Sequence, residues 1–566
     1  MGGIFMTIMA LGDSQPLPDL RGRDALGRSL PCSTEVREFR SDKYVGIFYF
    51  LWMNMDYVYD VSEILKHHPE ARATTAAPPW GPHNAFHFWG EPLYGYYRSD
   101  DPWVLRKHAA LLGAAGVDFL VFDTTNALIY ENVVERLCEV FEEQRLQGNY
   151  VPRLAFMVNT RAKETAQLLY DKFYREARYP ELWFHWQGKP LMLCDPEAAT
   201  EEVRAYFTLR KAHWPFEMVN THNAWHWEAT YPQVYSYDQD PLRPEQVNVS
   251  AGQNLHWKTG RVEMMSTGQA RGRHFHRGIL DPSPEAYLHG FNFQEQWSRA
   301  FELDPDVVFI TGWNEWIAMQ LNGKEGPVIF CDQYNLEFSR DVEMMREGYG
   351  DNYYCQMVAN IRRFKGMDPE PVSEKPNPFD MEHPFLSWQH QGRSYEDGSG
   401  ETIPRDFPGC GDYHYRNASG RNDFRTLKIA HDDQNLYVYA RTSEPITPHT
   451  DSCWMWLLID VSGSDKANWE GFQFLLNHEV IGPNSTWLSK CKGGWSWEPC
   501  ERIPYQVKEN EFHAVLPRRV LGLDTESFAL EFKWMDNSQS PGDMLDTYLH
   551  GDTAPIGRFR FRYEGR

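Results

Sequence analysis

The sequence predicts a closed (β/α)8 barrel over residues 44–366, followed by an all-β sandwich over residues 391–566. Three observations predict it. Eight short apolar runs between residues 45 and 311 alternate with longer, mostly amphipathic stretches. From residue 427 onward the runs are short, often alternate apolar with polar, and are separated by turns rich in Asp, Gly and Asn. Between the two regimes, residues 366–384 are rich in Pro, Glu, Ser and Asp without an apolar period, which places a linker at 367–390. A chain of 566 residues exceeds one ordinary core and suits a large barrel plus one further domain.

Taken in order, residues 1–43 show no periodicity and read as an irregular lead-in. The first buried strand is expected at 45–50. An amphipathic stretch at 102–115 ends at Gly116, a helix stop, and leads to a strand at 118–123. Further strands are expected at 154–158, 190–194, 218–221, 233–237, 247–250 and 307–311. Helices are expected at 131–147, 161–178, 201–213 and 284–303, with another at 353–364. Strands that read as unbroken apolar runs point to a parallel sheet covered on its outer face. Eight such units in this length match a closed barrel. A doubly wound open sheet is the rival, but no GxGxxG follows the first strand. The strands of the second module are expected at 427–430, 436–440, 454–461, 472–476, 512–516, 528–534 and 558–563.

The net charge of −23 repels phosphate backbones and anionic lipid heads, which excludes nucleic acid and membrane as expected partners. No run approaches the roughly 18 apolar residues of a membrane span. The apolar patch at 4–11 lacks a basic start and a small-residue cleavage site, so a cytoplasmic location is expected. The nine cysteines are scattered, without a CxxC or zinc-like spacing, and read as reduced thiols. No metal and no cofactor are expected. Aromatic residues reach 15%, with 21 tryptophans. Flat rings pack on the C–H faces of pyranoses, whereas tryptophan is costly as mere core filler because its N–H wants a partner.

In a (β/α)8 barrel the site lies where strands end and the βα loops begin. The polar residues at the expected strand ends include Asp123 and Asn126, Asn159, Asn220 and His222 with Trp225 beyond, Tyr237 and Asp238, Gln253, and Trp313-Asn314-Glu315-Trp316. Such an assortment suits a neutral polyol better than a phosphate. Hydrolysis of a glycosidic bond generally needs one protonated carboxyl and one ionised carboxylate. Glu315 is the first candidate, because it follows a buried run and flanking tryptophans would dry it and raise its pKa. Asp123 and Asp238 are candidates for the second role. Spacing does not rank them, and either serves equally well as a ligand of sugar hydroxyls, while Asp123 also suits a helix cap. Glu263 and Asp332, on long loops, are weaker candidates. The aromatic, Gly/Pro-punctuated segment 80–98 reads as a subsite wall with Trp80, His83, Trp89, Tyr96 and Arg98 as contacts, or as a loop folded down into extra core.

The stretches WGEPLYGYYRSDDPWVLRKHAALLGAAGVDFLVFDTTN (89–126), FNFQEQWSRAFELDPDVVFITGWNEW (291–316), DQYNLEFSRDVE (332–343) and GDNYYCQMVANIRRFKG (350–366) resemble the WbsX-like proteins, a group akin to glycoside hydrolase families 71 and 99. The resemblance implies a barrel acting on glycans, with Glu315 matching a catalytic glutamate at the end of the last strand. The family 99 pattern carries a second glutamate three positions on, where this chain has Ala318. Its α-mannan specificity and neighbouring-group mechanism therefore do not carry over. The stretches 432–446, 454–461 and 549–561 resemble carbohydrate-binding module family 9 or DOMON-like sandwiches, in which Trp454, Trp469, Trp495, Trp497 and Trp534 would divide between a sugar platform and core. The expectation is a glycosidase acting on an oligosaccharide or polysaccharide. A non-catalytic glycan-binding protein and an enzyme of surface-polysaccharide synthesis are the alternatives.

Overall fold

The computed structural model describes residue 14 and residues 17–75, 78–322, 326–369, 379–398, 400–461 and 467–565. Eight parallel strands run in chain order around a barrel: β1 (Tyr44–Tyr49), β2 (Phe119–Asp123), β3 (Arg153–Met157), β4 (Lys189–Leu193), β5 (Thr208–His213), β6 (Ala224–His226), β7 (Gln246–Ser250) and β8 (Val307–Thr311). β8 returns to β1, with Val307 opposite Tyr44 and Ile310 opposite Ile47. The barrel is nearly closed. Between β6 and β7 side-chain amides replace the ladder: Gln246 takes the His226 N–H at 2.9 Å and donates to its carbonyl at 3.0 Å, and Asn248 donates to the Trp227 carbonyl at 2.6 Å.

The barrel interior is filled by Phe48, Phe119, Val121, Met157, Leu191 and Phe309 with Trp225 and Trp227. Gly46 makes room for this packing, since a Cβ there would stand 2.3 Å from the Phe119 ring. Helices α1 (Pro102–Ala115), α2 (Glu131–Leu146), α3 (Ala162–Leu169), α4 (Glu201–Tyr206), α5 (Phe291–Leu303) and α6 (Asn352–Lys365) accompany the strands. Proline at the first turn, the Asp101 carboxylate accepting from the Trp103 and Val104 amides, and Gly116 at φ 82° bound α1, so the glycine stop read from sequence stands where expected.

Two strands differ from expectation. The stretch read as one helix over 201–213 is the short α4 followed by β5, and the stretches expected as strands five and six, 218–221 and 233–237, are connections. The cause is an arginine inside the barrel. Arg210 on β5 is 4% exposed and bonded to Glu245 at 2.7 Å, so a charge that reads as solvent-facing is neutralised in the interior.

The C-terminal module is all-β and antiparallel. Its strands are β9 (Arg393–Glu396), β10 (Arg405–Pro408), β11 (His414–Asn417), β12 (Phe424–His431), β13 (Asn435–Thr442), β14 (Trp456–Asp460), β15 (Phe474–Gly482), β16 (Ser485–Cys491), β17 (Trp497–Lys508), β18 (Glu511–Pro517), β19 (Phe528–Asp536), β20 (Asp552–Ala554) and β21 (Phe561–Gly565). They pair in the order β9-β12-β13-β18-β17-β16-β15-β14-β19-β20, with β21 also on β19, while β10 and β11 form a separate hairpin. Trp388, within the segment expected as linker, is buried against Tyr439 and His513. Of the tryptophans weighed as a sugar platform, Trp454, Trp469 and Trp534 are buried, and Trp495 and Trp497 are half-buried.

The two modules interlock. Arg405 on β10 donates to Asp101, the cap of α1, at 2.8 Å. The Tyr415 hydroxyl accepts the Tyr96 N–H at 2.7 Å, and the Cys410 N–H meets the Tyr96 carbonyl at 2.7 Å. In the lead-in, Leu17, Leu20 and Leu30 are buried, and Arg21 bridges to Arg560 of the second module.

Candidate active site

The turn after β8 sends four successive side chains in four directions. Trp313 packs on His108 and Tyr354, 5.5 and 6.2 Å between ring centres. Asn314 crosses to the exit of β1, accepting the Phe50 N–H at 2.8 Å and donating to its carbonyl at 3.3 Å. Trp316 stacks on Trp89 at 4.3 Å and donates to Glu343 at 2.5 Å. Glu315 is left facing the barrel mouth, its N–H given to Asp341 at 2.9 Å and its carbonyl receiving the Trp89 indole N–H at 3.1 Å. Every neighbour of this glutamate is tied down, so its carboxylate is placed before any ligand arrives.

Glu315 Oε2 accepts from Arg340 Nη2 at 3.0 Å and from Gln333 Nε2 at 3.4 Å, and its side chain is 12% exposed. Arg340 is sealed at 1% exposure, with its guanidinium 4.4 Å over the Trp227 ring. It also donates from Nη1 to the Asp332 carbonyl at 3.0 Å. Two further carboxylates stand near it. Asp332 Oδ1, on a side chain 46% exposed, is 3.7 Å from Nη2, and the fully buried Glu228 is 3.9 Å from Nη1. With its amide nitrogen turned toward Glu228, Asn254 donates to both Glu228 oxygens at 2.9 and 3.1 Å. Asp341 lies behind, its Oδ2 taking Gln333 Nε2 at 2.6 Å.

Burial dominates the titration of this cluster. It raises Glu315 well above the ordinary carboxylate range against the pull of Arg340, and the charges of Asp332, Asp341 and Asp123 act in the same upward direction. Burial likewise pushes Glu228 up to about 8 and Asp341 up to about 6. With Glu228 at about 8, a proton is held at neutral pH in a site whose acids outnumber Arg340.

Asp123 stands at the exit of β2 and is 7% exposed. It accepts from Thr125 N–H at 3.1 Å and Thr125 Oγ at 2.7 Å, and from the Trp52 indole at 3.4 Å. It caps no helix, because α2 begins only at Glu131 behind Tyr130. Burial raises its pKa. Beside it the half-buried Trp52 and Tyr130 present parallel rings, 6.4 Å between centres and 3° between planes. Asn126 is exposed and donates to the Tyr130 hydroxyl.

Several residues expected at the mouth stand elsewhere. Asp238 and Tyr237 lie in the connection that enters β7, so they sit at the opposite, N-terminal end of the barrel. There Asp238 bonds Gln187 at 2.9 Å and faces Arg210 at 3.4 Å. Trp225 points into the lower interior, donating to Glu245 at 3.2 Å. Asn220 and His222 are exposed in the β5–β6 connection. These displacements follow from the misplaced fifth and sixth strands. Gln253 is buried against Ser250 and Asn292. Asn159 is exposed beyond β3. Trp313, Asn314 and Trp316 are buried supports of the Glu315 turn rather than contacts.

Segment 80–98 is folded down rather than open. Trp80 is fully buried and donates to the Ala71 carbonyl, Trp89 lies under Trp316, and Tyr96 donates to Asp60 at 2.9 Å. Arg98 stands between Asp56 and Asp100, and His83 is exposed. Ala318 pairs with His87 in a short ribbon and is 6% exposed in an apolar cluster with Trp80, Phe330 and Tyr334, which leaves no place for a carboxylate there.

Glu228, Arg340, Gln333, Asn254 and Asp341 went unnoticed in the sequence. Glu228 had a signal, since it directly follows the strand-like Ala-Trp-His-Trp. The others lie on aperiodic loops.

Fold and site together define a nearly closed parallel barrel whose C-terminal mouth carries an arginine-centred carboxylate cluster. No family model matches the chain, and no curated protein matches it. Among solved structures it is similar to the GH99 endo-alpha-mannosidase of Bacteroides thetaiotaomicron, alone and in complex with bis-tris-propane, at 13% and 12% identity. Each covers 57% of this chain and 97% of that chain, with a TM-score of 0.33.

Proposed function

We propose that the protein is a glycoside hydrolase acting on an uncharged oligosaccharide or polysaccharide. One observation carries the reading: Glu315 and Asp332, both reachable from the mouth, approach the same Arg340 nitrogen at 3.0 and 3.7 Å. Glu315, raised by burial, keeps the proton that the departing glycosidic oxygen requires. As the C–O bond breaks, that proton passes to the leaving oxygen and Asp332 attacks the anomeric carbon. Water, deprotonated by Glu315, then releases the sugar. Carboxylate oxygens 3.0 and 3.7 Å from one nitrogen are compatible with the roughly 5 Å spacing of retaining enzymes. Asp123, already bonded to Trp52 and Thr125, is assigned to sugar hydroxyls and the Trp52–Tyr130 pair to a ring face. The excess of carboxylates over Arg340 disfavours uronates and sulfated sugars.

Proton NMR of the products from a panel of neutral oligosaccharides and aryl glycosides tests this. Cleavage with the first-formed sugar in the anomeric configuration of the substrate is expected. An inverted first product removes Asp332 as nucleophile. Binding without turnover favours recognition alone, and a requirement for a nucleotide sugar favours synthesis.

A further inference from the structure

Glu228 has no exposed side-chain area, so it cannot touch a substrate as it stands. Yet it is delivered to the mouth by β6 through Trp227, the ring on which Arg340 lies. The charged groups facing it are Arg340 and Asp332 from the loop after β8, and Arg271 from the strand Ala270–Arg271. Arg340 divides its fork: Nη2 serves Glu315, while Nη1 serves the Asp332 carbonyl and faces Glu228. A single guanidinium thus stands between two buried glutamates delivered by β6 and β8, the strands on either side of β7. Neither carboxylate can ionise without changing how much of that charge the other receives.

We propose that Glu228 is a positioning residue for Glu315, holding Arg340 in place and sharing its charge, so that the ionisation of Glu228 sets how firmly Glu315 retains its proton. An ionised Glu228 draws on the guanidinium and adds a negative charge to the site, and Glu315 keeps its proton to higher pH. A neutral side chain at 228 releases the full charge of Arg340 to Glu315, which then ionises at lower pH. The inference rests on the hydrolase reading for its consequence in catalysis, though not for the coupling itself.

The test is a carbon-13 NMR titration of the glutamate carboxyls, with Glu315 and Glu228 assigned from Glu315→Gln and Glu228→Gln. In the wild type both resonances are expected to show two inflections, the sign of a shared titration. In Glu228→Gln the upper Glu315 midpoint is expected to fall by about one pH unit, and Glu228→Asp, which keeps the charge, is expected to hold it. The basic limb of kcat/KM should move by the same amount. Single independent inflections in the wild type overturn the proposal, and they decide it even where the Gln variant does not fold. An unmoved Glu315 midpoint in a folded Glu228→Gln overturns it too. A moved midpoint in a protein that hydrolyses no glycan supports the coupling and removes the hydrolase reading alone.

Discussion

Arg340 Nη2 lies 3.0 Å from Glu315 Oε2 while the same guanidinium covers the Trp227 ring at 4.4 Å, so one buried cation joins the exits of β6 and β8. Its removal exposes how the cluster is balanced. Arg340→Met leaves Glu315, Glu228 and Asp332 facing one another without the guanidinium that joins them. The loss is expected to grow toward about 3–5 kcal/mol, the cost of a broken buried pair, as these carboxylates ionise.

The pH dependence of that loss has a definite sign. Glu228 is raised to about 8 and Asp341 to about 6 in the folded chain, so what they contribute to stability is fully present below the ordinary carboxylate pKa and is lost as pH rises through these values. Without Arg340 the folded-state values rise further. The Tm deficit of Arg340→Met is therefore expected to be small near pH 4.5 and to widen toward pH 8. A deficit constant over that range would contradict the charge balance.

Trp52 is held between Phe50, at 4.4 Å, and Phe86, at 4.9 Å, and donates to Asp123. As the proposed platform for a sugar ring it would contribute to binding in ground and transition states alike. Trp52→Ala is expected to raise KM about tenfold with little change in kcat. Steady-state kinetics read the split directly, and a fall in kcat at constant KM would assign Trp52 to the chemistry instead.

Six barrel strands were legible in the sequence because β1, β2, β3, β4, β7 and β8 are buried along almost their whole length and read as apolar runs. β5 was not, because Thr208–His213 carries Arg210 and Lys211, and the partner that neutralises Arg210 lies 35 residues on, at Glu245. β6 is only three residues long. Glu315 was legible for a local reason, since a buried strand ending in tryptophans gives its environment away. Arg340 and Gln333 reach the same carboxylate from 25 and 18 residues downstream along a loop with no period. Their role is a tertiary fact, as is that of Glu228, two strands away at the exit of β6.

The second module supplies the partners of two buried carboxylates of the barrel. Asp101 is fully buried beneath Arg405, and the buried Asp351, just ahead of α6, pairs with Arg558. A chain ending at residue 366 leaves both carboxylates and the underside of Tyr96 without their partners. Such a fragment is expected to be insoluble, or to show no cooperative thermal transition by circular dichroism, whereas the full chain unfolds cooperatively. A soluble fragment melting at the temperature of the full chain would show that the interlock contributes nothing.

Replacing Glu315 by Gln keeps the size and most hydrogen bonds of the side chain and removes only its acid. Turnover of the best neutral glycan found for the wild type should fall by at least about a hundredfold in kcat, with KM and Tm little changed. Undiminished turnover in this variant would contradict the assignment of Glu315 as the proton donor, and with it the hydrolytic reading of the barrel mouth.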